Sequence, residues 1–117
     1  MEILKEIAEL IEDKTGLPCS LWKIPRDGNH IRKAPYVVLE KFDGGVEYAD
    51  NKPLVITTEV KATLIIAPYD TACETLMDRF LWDNGLHFSY EMGYDSAMDV
   101  IGKQYSFTVL QDYKEVI

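Results

Sequence analysis

The residues best suited to metal binding or nucleophilic chemistry are His30, His87, Cys19 and Cys73. A zinc site needs several ligands at short, regular spacings, and a hydrolytic triad needs a histidine beside both a nucleophile and a carboxylate. Cys19 and Cys73 lie far apart and in no Cys-x-x-Cys or Cys/His pattern. They read as two free, partly buried thiols, as intracellular cysteines usually are. His30 falls in a basic stretch and His87 opens a strand, and neither has a partner at ligand spacing. Both read as structural or surface residues. No catalytic residue, metal or cofactor is expected.

The carboxylates give a weaker signal. Asp95 and Asp99 are four apart with Glu91 nearby, a grouping that acid–base chemistry could use in a pocket. An acidic, solvated loop is the simpler reading. Asp43-Gly44-Gly45 places a glycine pair after a strand, but a phosphate cradle needs a helix N-terminus behind it, and no helix follows. The triplet reads as a turn. No nucleophile elbow, HExxH, P-loop, dinucleotide or EF-hand pattern occurs.

Charge narrows the partners. The 117 residues carry a net charge of −8, which repels a phosphate backbone and argues against sequence-specific nucleic-acid binding. Residues 23–41 are the exception, with Lys23, Arg26, Arg32, Lys33 and Lys41 against Asp27 and Glu40, a net of +3. Such a segment suits an acidic surface on a partner, another copy of the chain included. The longest apolar run, 62–67, falls far short of the roughly 20 residues of a membrane span. No membrane partner is expected, and the surroundings are cytosol-like. Tyr48, Tyr69, Trp82 and Tyr94 sit at loops or element edges, where aromatic residues mark interfaces.

These residues need a scaffold, and the hydrophobic pattern predicts one. Ile3, Leu4, Ile7, Leu10 and Ile11 make a helical stripe over 2–14, stopped by Gly16 and Pro18. A short strand over 19–24 and a loop over 25–34 follow. Tyr36–Phe42 is rich in β-branched and aromatic residues and predicts a strand. Residues 43–53 read as a polar loop. From Leu54 to Ala67 apolar and polar residues alternate, with Leu54, Ile56, Thr58, Val60, Ala62, Leu64 and Ile66 on the core side. Fourteen residues at about 3.3 Å each outrun a typical strand, so part of it should project or bend. Asp70 or Thr71 can cap a second helix that Asn84-Gly85 ends. Strands near 86–92 and 103–110, joined through 93–102, complete one domain over 1–117. The predicted fold class is α+β, a mixed, largely antiparallel sheet of four to five strands with two helices on one face. Leu64, Ile66, Phe80, Ile7 and Leu10 are its expected core.

This order of parts resembles the small tail and neck proteins of long-tailed bacteriophages, the tail terminator and tail-completion (head–tail joining) families. The residues carrying the likeness are Ala34-Pro35-Tyr36-Val37-Val38, Tyr48-Ala49-Asp50, Ile56 to Ile66 leading into Asp70 to Asn84, and Gly102 to Phe107. The resemblance spans nearly the whole chain without one diagnostic motif. It implies a ring-forming structural subunit, commonly hexameric, that meets itself and other tail or neck proteins. It implies no active site. It also implies a location in the bacterial host cytoplasm during assembly and in the virion tail or neck afterwards.

On that reading the loop 43–53 and the far part of strand 54–67 serve contacts between subunits. Tyr48, Asp50, Asn51, Glu59, Lys61, Tyr69, Arg32 and Lys33 are the candidate interface residues. The alternative is a monomeric protein-binding module that uses the basic segment 23–41 or an exposed strand edge.

Overall fold

The computed structural model describes residues 3–24, 26–27, 30–31 and 33–112. The fold is α+β: two helices and a five-stranded, mostly antiparallel mixed sheet. In chain order the elements are α1 (Ile3–Thr15), β1 (Cys19–Leu21), β2 (Arg26–Asp27), β3 (His30–Ile31), β4 (Tyr36–Ala49), β5 (Lys52–Ile66), α2 (Thr71–Asp83), β6 (Phe88–Asp95) and β7 (Val100–Asp112). The sheet order is β1-β4-β5-β7-β6, with β1 parallel to β4 and every other pair antiparallel. The segment 25–34, expected as a loop, holds the small β2–β3 hairpin.

The central strand β5 decides which face is buried. Its even-numbered residues from Thr58 to Ile66 are buried, and the odd-numbered ones are half-buried. Register carries the same face across the sheet: Leu64 lies opposite Val37 and Lys103, and Ala62 opposite Leu39 and Tyr105. Both helices cover this face. Leu4, Ile7, Ala8 and Ile11 of α1 and Met77, Phe80 and Leu81 of α2 join the sheet residues in one hydrophobic cluster.

Leu10 is not in that cluster; it is 44% exposed. The buried stripe of α1 runs through positions 4, 7, 8 and 11, and at 100° per residue Leu10 falls on its shoulder. Ala8, too small to attract notice in a hydropathy pattern, takes the place expected for Leu10.

The helix ends follow their sequence signals. Gly16, at φ 75°, donates its backbone N–H to Glu12 C=O. Gly85, at φ 68°, follows α2, and Leu86 N–H returns to Leu81 C=O at 2.9 Å. Both are left-handed caps that occupy otherwise unpaired carbonyls. Asp70 caps the start of α2, its Oδ1 accepting from Cys73 N–H at 3.1 Å. Asp70→Ala should cost about 1 kcal/mol, the usual loss on removing an N-cap. Urea denaturation measures it, and an unchanged midpoint would show that the cap contributes nothing.

The expected loop 43–53 is instead the distal half of a β-hairpin. β4 runs unbroken to Ala49, and β5 begins at Lys52. The turn is Asp50-Asn51, with φ 52° and 64°. Two successive positive φ values are the type I′ signature, whose twist suits a two-residue hairpin. Asp43-Gly44-Gly45 does not end the strand. It follows a register shift between Lys41 and Asp43, and a Cβ on Gly44 would come within 3.0 Å of Thr57 C=O. The glycine there permits close backbone approach. Pro53 is accommodated beside a second register shift, beyond the last residue of β5 that β7 reaches.

Candidate functional site

The hairpin carries three strands well past the helices. β4 and β5 pair out to Ala49 and Lys52, and β7 follows β5 as far as Val55. The molecule measures 53 × 28 × 24 Å, with a radius of gyration of 15.6 Å against about 13 Å expected for a compact chain of this length. Phe42, Val46, Tyr48, Leu54 and Leu110 are exposed along this arm. Isolated exposed apolar residues are ordinary, but five on one projecting ribbon are a concentration.

The sequence-predicted interface residues fall into separate groups. Tyr48, 66% exposed, and Asp50 and Asn51 share the tip of the arm. Glu59 and Lys61 are half-buried in the middle of β5, on the face away from the helices. Lys61 sits 5.0 Å over the ring of Phe42, a cation–π contact that fixes both side chains. Tyr69, 85% exposed, lies between β5 and α2, at the opposite end of β5 from the tip. Lys33 is exposed just before β4, and Arg32 lies outside the described residues. The set is therefore not one patch.

Near Lys33 the helix-free face of the sheet forms an open groove of about 1010 Å³. Ile24 and Lys33 line it from the segment before β4, Met98 and Asp99 from the β6–β7 turn, and Tyr36 and Ile65 from the sheet. The turn is held locally: Asp95 Oδ1 accepts from the N–H groups of Ala97 and Met98, and Tyr94 Oη donates to Asp99 Oδ1 at 2.7 Å. The acidic trio Glu91, Asp95 and Asp99 thus sits on a β-hairpin, all three exposed.

A second cluster went unread in the sequence. Lys103 of β7 is 2% exposed, yet its ammonium reaches Glu74 at 2.6 Å and Asp78 at 3.1 Å on α2. Tyr105 Oη also donates to Asp78, and Lys103 lies 4.2 Å over the ring of Tyr90. Burial by itself would lower the Lys103 pKa, but the hydrogen bonds and charges of Glu74 and Asp78 outweigh it and raise it. Burial first, and then the bond to Asp78, raises Tyr105 as well. Both groups hold their protons, so neither Lys103 nor Tyr105 is a base or nucleophile near neutral pH. It pins α2 to the sheet. The sequence did contain its signal: Lys103 is in phase with the core residues Tyr105 and Phe107, and Glu74 and Asp78 are one helical turn apart.

Comparison with known protein families and with curated proteins finds no match for this chain. The remaining nucleophile candidates are equally quiet. Burial, then the charge of Glu12, pushes the Cys19 thiol up to about 12. Burial, then a hydrogen bond with Asp70, raises Cys73 to about 11. A thiol that keeps its proton is a poor nucleophile and a poor ligand. Among the described residues no group of three His, Cys, Asp or Glu side chains is placed to hold a metal ion. Among the same residues no helix is long and apolar enough to cross a membrane.

Proposed function

We propose that this chain is a structural assembly subunit that joins copies of itself into a ring, working by contact rather than by catalysis. The arm supports this reading: three strands extend beyond the helix-covered core and carry uncovered Phe42, Val46, Tyr48, Leu54 and Leu110. In a monomer these apolar side chains stay in water, whereas a neighbouring subunit can cover them. Buried aromatic anchors dominate interface energetics, which makes Tyr48 the residue of greatest weight. The resemblance to tail terminator and head–tail joining proteins supplies the finer proposal, a phage or prophage tail or neck ring that also meets other tail proteins.

Sedimentation of the purified chain over a wide concentration range tests the reading. The wild type should sediment as a multiple of 13.4 kDa. Tyr48→Ala combined with Asp50→Asn, both exposed and the second to a residue that tolerates the left-handed turn position, should shift it to the single-chain mass with unchanged thermal stability. A wild type that stays at 13.4 kDa throughout would overturn the proposal.

A further inference from the structure

One row of residues crosses four strands on the face of the sheet away from the helices. Tyr36 of β4 pairs with Ile65 of β5, Ile65 with Gly102 of β7, and Gly102 with Gly93 of β6. All four line the open groove. Tyr36 and Ile65 give one half of the row an apolar floor. The other half is bare backbone, because two glycines face each other across antiparallel strands.

Neither backbone strain nor crowding accounts for these glycines. Neither has the positive φ that favours glycine. Among the described residues, a Cβ on Gly93 would meet no atom within 4 Å, and one on Gly102 would meet only Ile65 Cδ1, at an ordinary 3.5 Å. Glycine inside a strand weakens it, and it marks places where a ligand or another backbone comes close. At Gly44 the approaching backbone is the chain's own Thr57. At Gly93 and Gly102 no described residue plays that part.

Charge selects what fills the gap. Side chains two residues apart on a strand share a face, so Glu91 and Asp95 flank Gly93 at about 7 Å on either side. Asp99 adds a third carboxylate from the turn. Lys33 lines the groove from the segment before β4, and among the described residues it forms no ion pair with these carboxylates. Three negative charges against one positive leave these four residues at −2.

The geometry points to a binding site for an extended segment of a partner protein, laid across the row with a lysine or arginine over Gly93 and an apolar residue over Tyr36 and Ile65. The bare backbone lets the segment's main chain settle onto the sheet, and its cation then lies between Glu91 and Asp95. Three strand spacings of about 4.8 Å make the row about 14 Å long, the span of four or five extended residues. A small amine would leave the apolar half uncovered. The site lies at the opposite end of β5 from the arm's tip and does not depend on the assembly reading.

Two libraries of random octapeptides, one with a fixed central arginine and one with glutamate there, test the site against the full chain. Peptides should be selected from the arginine library alone, with an apolar residue two to four positions from the arginine. Fluorescence anisotropy then follows the tightest of them. Glu91→Gln with Asp95→Asn should weaken its binding at least tenfold; asparagine keeps an acceptor oxygen for the N–H groups of Ala97 and Met98. Gly93→Val should weaken it at least tenfold too, with a melting temperature unchanged or raised, because valine suits a strand better than glycine. No selection, equal selection from both libraries, either variant binding as the wild type, or a Gly93→Val chain that unfolds would each overturn the site. A synthetic peptide of residues 23–41 that binds as tightly as the selected ones would make the occupant a second copy and overturn the foreign partner.

Discussion

Lys103→Ala is expected to destabilise the fold by about 3 kcal/mol, the lower end of the cost of stripping one partner from a buried ion pair. The lower end applies because Glu74 and Asp78 remain partly open to water. The lysine spans the join between α2 and β7, so its loss removes two ion contacts and the cover over Tyr90 together. Equilibrium urea denaturation at neutral pH measures the effect, and a change below about 0.5 kcal/mol, the scatter of ordinary surface substitutions, would show that the network contributes no stability. The same network predicts a pH dependence. Lys103 and Tyr105 both have folded pKa values above their ordinary 10.5 and 10.0. A raised folded pKa favours the protonated form in the native state, so this stability is complete below pH 10.0 and is lost as pH climbs past it. Tyr105→Phe should flatten that alkaline decline.

Leu64→Ala is expected to cost about 2–5 kcal/mol, the range for emptying a fully buried leucine site. Leu64 is completely buried at the centre of the sheet, between Val37 and Lys103, under both helices. Ile65, its neighbour on the helix-free face, is only half-buried, and Ile65→Ala should cost clearly less. Paired denaturation curves make the comparison. Equal losses would mean that both faces of the sheet are packed alike.

The strand that locates this core was readable because its cause is local. From Thr58 to Ile66 side chains must alternate between a helix-covered face and a bare one, and the sequence alternates with them. The fold class and both helices were legible for the same reason. Features set by long-range contact were not. Asp43-Gly44-Gly45 looks like a turn in isolation, and only the approach of Thr57 shows that the glycines serve a paired strand. The turn is Asp50-Asn51, which the positive φ values identify. Tyr48, Asp50 and Asn51 share the tip of the arm, but Tyr69 and Lys33 lie at the opposite end of β5 from them, a separation that depends on β4 continuing to Ala49. Lys103 escaped notice because a lysine in a strand normally faces water. Its partners come from a helix 25 and 29 residues away in sequence.

The place of β5 at the middle of the sheet also bears on how the chain comes off the ribosome. Its pairing with β4 needs only the two-residue turn at Asp50-Asn51 and is complete once Ile66 has emerged. Its other side is satisfied only by β7, which follows α2 and β6 and pairs Ile66 with Ile101 and Val55 with Asp112. Non-local pairing of this kind is slow, and unpaired strand edges invite association in the meantime. During synthesis the central strand of the sheet therefore waits with one edge open, and β7, last of its strands to be made, is the one that closes it.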